Sequence, residues 1–425
     1  MNRETERHFS QVPTLNISRS KFKRPFTHKT TFNAGEIIPI YLDQDILPGD
    51  TVKINMSQVI RMATPLYPVM DNSFIDIMFF FVPNRLIWDH WKEFWGENKN
   101  AWYQTIEYEI PQITAPEGSP FTAKTVADYM GLPINITGNI SVSALPFRAY
   151  AKIWNDWFRD ENLQQETPLN TDDTTRVNNQ TYAQLGGNLL KANKYHDYFS
   201  SCLPSPLKGN DVLIPLGNWA PVVTREDDIL DTITYIPEPL DFTSYSGTGW
   251  TEGNFYRTSI KATSQSTGRL ATKSTDTSTG TGSVTGIYPN NLWTDLSLAT
   301  AATISQLRQA FAVQRFFEAQ ARGGSRYIEF IKNIFGVTSP DARLQRSEYL
   351  GGKRIPINVQ QVLQTSSTNT TSPLGMTGAF SHTTDSSEYF TKSFTEHGVL
   401  LGLACIRYDH SFNQGIERGW SRKKF

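Results

Sequence analysis

Cysteine is almost missing from this 425-residue chain: Cys202 and Cys405 are the only two, far apart and each in apolar surroundings. Two buried thiols are therefore expected rather than a bridge, and a metal site has no support. Long apolar runs are missing too. None reaches the roughly 18 residues needed to cross a bilayer, and residues 1–20 are polar and charged, unlike a secretory leader. A soluble protein made in a reducing cytoplasm, without membrane insertion, is the expectation. Charge is scarce, at 19% of residues with a net value of −1, so the chain as a whole does not announce a nucleic-acid binder. The signatures of catalysis are also lacking. Gly351-Gly352-Lys353 has neither the spaced first glycine nor the following Ser/Thr of a phosphate loop, and the seven histidines show no HExxH pattern. No enzyme and no cofactor is expected.

What the chain does have is aromatic residues, 12% of the total, and enough length for a large core or for two or three domains. That composition suits a protein that hides surface against neighbours, and equally a large β-rich domain. Residues 1–30 form a basic arm with seven Lys/Arg against two Glu. Arg19, Lys21, Lys23, Arg24 and Lys29 are interleaved with Phe22 and Phe26, which suits phosphate neutralisation with base stacking. A solvated tail fits the same composition. From Phe32 to Pro83 the pattern is β: Ile37 to Leu42, a turn at Leu47-Pro48-Gly49-Asp50, then alternating Val52, Ile54 and Met56. Phe74 to Val82 and Val399 to Ile406 are apolar on both faces, so both strands belong in the interior of a sheet.

A helix is expected over 84–95, with Asp89, His90, Glu93 and Glu97 on a polar surface face. His90 and Glu93 have a di-iron-like spacing, but no second pair accompanies them. The stripe Phe147, Tyr150, Ile153, Trp154, Trp157 and Phe158 has helical spacing. Val212 to Leu216 reads as a short strand. The densest run of signals is 304–365. An amphipathic helix (Ile304, Leu307, Phe311, Phe317) stops at Gly323-Gly324, and a second apolar segment follows at 327–335. Ser339-Pro340-Asp341 can open a short helical turn, closed by Gly351-Gly352. Asp341, Arg343, Arg346 and Glu348 read as structural ion pairs at a subunit contact. Between 225 and 300 the chain changes character, and from Thr258 to Gly286 it is a Ser/Thr/Gly run too polar for a core.

Several segments resemble one family. Met70-Asp71-Asn72-Ser73-Phe74 through Arg85-Leu86, Trp88-Asp89-His90-Trp91, Asp197-Tyr198-Phe199-Ser200, and the SPDARLQRSEYLGG run at 339–352 are similar to the major capsid proteins of microviruses, in particular the gokushovirus branch. The similarity is colinear and weakest over 225–300. It implies a single eight-stranded antiparallel jelly roll with long insertions: the arm at 1–30, strands with helical insertions at 31–224, a surface insertion at 225–300, and the rest of the roll at 301–425. Relatives run on past Phe425 for a stretch that belongs to the fold, so either this copy is truncated or its last strand comes from elsewhere.

By the same resemblance, sixty copies form a T=1 shell around a circular single-stranded DNA. Partner proteins would be a DNA pilot protein, a small basic DNA-binding protein, a scaffolding protein and a host receptor. The arm, with Arg418, Arg422, Lys423 and Lys424 as a second set, is expected to meet DNA. Trp88, Trp91, Trp154 and Trp157 are expected in the core or at subunit contacts. Trp250, Phe255, Tyr256 and Ile260 belong to the outward, host-facing insertion at the threefold axes. A β-sandwich carbohydrate-active enzyme or lectin-like module is the alternative, and it would need paired carboxylates in a cleft.

Overall fold

Two strands that are apolar on both faces can be stable only with a layer on each side, and the structure supplies both layers. A computed structural model describes residues 20–63, 69–97, 107–197, 202–213, 222–224, 242–245, 286–289, 292–294, 303–324, 326–371, 373–375, 377–411, 415–416 and 418–424. In chain order the strands are β1 Ile38–Ile46, β2 Thr51–Ile60, β3 Ser73–Pro83, β4 Gln112–Ala115, β5 Ile140–Ser143 and β6 Arg176–Val177. They continue as β7 Val222–Thr224, β8 Phe242–Tyr245, β9 Gly286–Pro289, β10 Leu292–Thr294, β11 Glu348–Pro356 and β12 Val359–Leu363. The last are β13 Thr377–Ser381, β14 Thr383–Ser393 and β15 Gly398–Tyr408. The chain divides into two compact units, residues 1–204 with 325–425, and residues 205–324.

In the first unit, β1, β15, β3 and β11 form one antiparallel sheet in that order. β2 and β14 form a second antiparallel pair. Alternation along β3 and β15 sends Phe79, Phe81 and Leu400 to one face, where Phe390 and Phe394 meet them. Phe80, Val82, Leu401 and Leu403 point to the other face, against Trp88, Phe147, Ile153 and Phe158 of the helical insertion. Each fully buried phenylalanine contributes about 1.5–3 kcal/mol, so the consecutive Phe79-Phe80-Phe81 stabilises both layers at once. Two glycines make room for these rings. A Cβ on Gly402 would stand 2.7 Å from the Phe79 ring, and one on Gly398 would stand 2.4 Å from the Phe81 ring.

The helix Leu145–Ile153 has proline in its first turn and continues as a π-helical turn, Trp154–Phe158. It is tied to β1 by the Tyr150 hydroxyl, which donates to the Ile37 carbonyl (2.8 Å) and accepts from the Leu190 amide (3.0 Å). Burial raises the Tyr150 pKa, so the phenol stays a donor. Arg148, also buried, donates to the carbonyls of Ile87 (3.1 Å) and Asp172 (2.9 Å).

Several expectations need correction. Residues 84–95 are not one helix but a 3-10 turn, Asn84–Leu86, and a four-residue helix, Trp91–Phe94. The break follows from competing bonds: the Asp89 amide donates to the Thr171 carbonyl at 3.0 Å, and Thr171 Oγ1 donates back to the Asp89 carboxylate at 2.9 Å. Glu93 is buried rather than on a polar surface. Gly351-Gly352 does not close a helical turn but lies inside β11, at a register shift against β3. A Cβ on Gly352 would sit 2.4 Å from the Ile77 carbonyl oxygen, so the glycine serves close strand approach. Cys405 is buried and its thiol is pushed up to about 12 by burial, whereas Cys202 is exposed. Of the strand expected over 212–216, residues 212 and 213 are not in a strand and the rest lie outside the described residues.

The second unit contains the antiparallel pairs β7–β10 and β8–β9 and the helix Ile304–Gly323. Thr303 and Gln306 form its capping box, at 3.2 and 3.0 Å, and Gly324 follows its end. None of this helix's described side chains is buried. Its described side chains therefore add nothing to a buried core. Trp250, Phe255, Tyr256, Ile260 and residues 258–285 lie outside the described residues.

Candidate assembly and nucleic-acid surfaces

The segment 339–350 turns tightly and then locks onto the π-helical turn. Arg343 and Leu344 amides donate to the Pro340 carbonyl at 3.1 and 3.4 Å. The Arg346 guanidinium lies 3.7 Å above the Trp157 ring and donates to the Asp156 carbonyl at 2.6 Å. The Asp156 carboxylate accepts from both the Ser347 amide (2.9 Å) and hydroxyl (2.8 Å), and Trp157 Nε1 donates to the Ser347 carbonyl at 3.0 Å. Burial lowers the Arg346 pKa against the attraction of Asp341 and Asp156. Burial likewise holds the Asp341 carboxyl above its usual range, outweighing its 3.7 Å ion pair with Arg346. Glu348 pairs with Lys392 across to β14. Arg346, Asp341 and Glu348 thus clasp the subunit internally, and exposed Arg343 remains on the surface.

Of the four tryptophans singled out above, Trp88 and Trp154 are sealed in the core. Trp154 Nε1 donates to the Lys191 carbonyl at 2.7 Å. Trp88 Nε1 donates to Asp173, which also pairs with His90 Nδ1 at 2.8 Å. Burial pushes the Asp173 carboxyl up, but these donated bonds win and leave it below its ordinary value. Trp91 and Trp157 are half-buried. Trp91 borders exposed Phe94 and Trp95, and Trp95 stacks on His397 with centroids 4.4 Å apart. An aromatic patch therefore reaches the surface beside a core that accounts for the deeper rings.

The arm from Ser20 to Thr31 runs as exposed, irregular chain. Lys21, Lys23 and Lys29 are exposed, as are Phe22 and Phe26. Arg24 is different: its Nη1 lies 2.7 Å from the Asp43 carboxylate on β1, which raises the arginine pKa. The end of the arm is held by the Tyr129 hydroxyl, which donates to the Thr31 carbonyl at 2.6 Å. Arg19 lies outside the described residues. At the other end of the chain, the short helix Arg418–Ser421 precedes Arg422, Lys423 and Lys424, all exposed. Asp43 as the countercharge of the arm carried no sequence signal, since it is one of two aspartates, with Asp45, in the strand and nothing local distinguishes it.

Two elements show apolar side chains to solvent. The helix Ile304–Gly323 exposes Ile304, Phe311, Val313 and Phe316. The β12–β13 hairpin exposes Val362, Leu363 and Phe380. The hairpin went unseen in the sequence because its connection, residues 364–376, is a polar stretch that hides the pairing of its flanks.

Comparison with known proteins places these surfaces in context. Residues 10–425 match the family model described as capsid protein (F protein). The chain is 41% identical over 424 residues to the capsid protein VP1 of Bdellovibrio phage phiMH2K, covering 99% of this chain and 75% of that protein. It is 42% identical to capsid protein VP1 of Spiroplasma virus 4, covering 97% of this chain and 74% of the relative. With capsid protein VP1 of Chlamydia phage 1 it shares 36% identity over 458 residues, covering 97% and 75%.

Proposed function

The chain belongs to the capsid protein (F protein) family, and we propose that, as a microvirus major capsid protein, it closes in sixty copies into a T=1 shell around circular single-stranded DNA. It is a structural protein, not an enzyme, so the carbohydrate-active alternative drops out on the family match. The observation that carries the reading is similarity of 41–42% along nearly the whole chain. The apolar side chains at Phe311, Phe316, Val362, Phe380 and Trp95 support it, because a subunit working alone rarely leaves so many exposed. Trp91 and Arg343 are further candidates for the contact with a neighbouring copy.

Three nested strand pairs support a jelly roll. The first strand pairs with the last (β1–β15), the second with the one before it (β2–β14), and the third with β11. These nested pairs are those of one long hairpin rolled up, which supports the eight-stranded jelly roll. Lys21, Lys23 and Lys29 on the arm, with Arg422, Lys423 and Lys424 as a second set, neutralise DNA phosphates inside the shell. Residues 225–300 form the outward insertion where three copies meet, and repetition makes weak host contacts useful. A pilot protein, a small basic DNA-binding protein and a scaffolding protein complete the particle. The test of the insertion is to replace residues 258–286 with a short Gly-Ser link and to measure assembly and host adsorption separately. Particles that form but fail to adsorb agree with the reading; normal adsorption contradicts it.

A further inference from the structure

The arm, β1 and residues 129–131 line a half-open cavity that a merely basic tail does not account for. Its volume is about 490 Å³, and Arg24, Phe26, His28, Tyr41, Asp43 and Asp45 are in its wall. Phe26, 58% exposed, stands edge-on to Tyr41 (5.5 Å, 88°) and nearly parallel to His28 (6.2 Å, 12°). Asp43 is only 4% exposed yet borders the cavity, and its Oδ2 holds Arg24 at 2.7 Å. A cavity of this size falls in the range of small-molecule sites and is large enough for one nucleotide.

The charges decide which part of a nucleotide enters. A phosphate would face the carboxylates of Asp43 and Asp45, and the one guanidinium nearby is already committed to Asp43. A base edge instead brings N–H donors to those carboxylates and a π-face to the exposed ring, while Lys21, Lys23 and Lys29 outside the cavity remain for phosphates. We infer that this cavity takes one unpaired nucleobase of single-stranded DNA, stacked on Phe26 with its amino edge turned to Asp43. The class favoured is the amino-bearing base, cytosine over thymine, because cytosine presents its amino donor where thymine presents the O4 acceptor, and thymine's one ring donor, N3–H, is flanked by two carbonyl oxygens that a carboxylate repels. The inference rests on the reading that the arm meets single-stranded DNA, and adds base preference to phosphate contact.

The test uses the full chain and three labelled oligomers of equal length: deoxycytidine, thymidine and an abasic backbone. Affinities are followed by fluorescence anisotropy over a range of salt. The expected order is cytidine, then thymidine, then abasic. Phe26→Ala should weaken cytidine binding roughly ten-fold, the size of one lost stack, and leave abasic binding unchanged. Phe26→Leu, which keeps an apolar contact with Tyr41, should show the same loss and guards against a disturbed arm. Asp43→Asn should remove the cytidine–thymidine difference. Equal binding of cytidine and abasic oligomers, or equal weakening of both by the Phe26 variants, would overturn the cavity assignment. The double change Lys21→Ala and Lys23→Ala should weaken all three oligomers together and flatten the salt slope. If it changes nothing, the arm reading itself fails.

Discussion

Gly402 shows how one residue sets the position of two layers. Its missing side chain is where the Phe79 ring lies, so Gly402→Ala must push a ring that β14 holds from the other side. The expected cost is about 1–3 kcal/mol, read by chemical denaturation of the subunit. Little or no loss would mean that the core yields where the geometry says it is full. Asp341 makes the opposite case. Burial raises its folded pKa above the unfolded value, so its contribution to stability is present below the unfolded pKa and lost as pH rises through the folded one. At neutral pH the charged form is therefore a liability, and Asp341→Asn should leave Tm at pH 7 unchanged or slightly higher. A fall of several degrees would show that the pair with Arg346 outweighs burial. Sequence reading placed Asp341 and Arg346 among ion pairs at a subunit contact; the two pair with each other at 3.7 Å within one subunit. It could not place Asp156 or Trp157 beneath them, because Asp156 lies 190 residues from Arg346 along the chain, with Trp157 next to it, and no local pattern encodes that contact.

At the scale of elements, the interior strands were legible because burial on both faces leaves a continuous apolar run, as in Phe74–Val82 and Val399–Ile406. The helix Ile304–Gly323 was legible in its extent and misleading in its role. Amphipathic periodicity says that a face will be covered, not whether the same subunit covers it. Replacing Phe311 and Phe316 with Asp should therefore leave the melting of the subunit nearly unchanged while abolishing assembly, measured by sedimentation. Loss of folding in the subunit would place the helix in a core instead. The β2–β14 pair makes a pH prediction of its own. Lys353 lowers the Asp385 pKa, and Lys53 lowers that of Glu388, both at the surface. Their folded values lie below the unfolded ones, so the stability they supply is present above roughly pH 4 and is lost as pH falls through the folded values. Lys353→Met should lower Tm slightly at pH 7 and change it little once pH has fallen through the folded values, so the acid-induced drop shrinks. The break in residues 84–95 was not legible, because the bonds that cause it come from Thr171 and Asp173, on a segment without periodicity.

The chain has a core of antiparallel sheets, exposed apolar elements and an exposed basic arm, which is what a shell protein needs: a stable body and surfaces completed by copies and genome. The arm should hold DNA through charge. Neutralising Lys21, Lys23 and Lys29 together should make genome retention fail at lower salt than in the unaltered particle, and equal retention across the salt range would remove the arm from the account. The most direct measurement of the central claim is an image reconstruction of the assembled particle at side-chain resolution. The account predicts sixty copies in a closed shell, with Phe311, Phe316, Val362 and Phe380 covered by neighbouring subunits and Lys21 to Lys29 facing the genome. A particle in which those rings remain in solvent, or in which the arm lies on the outer surface, would contradict it.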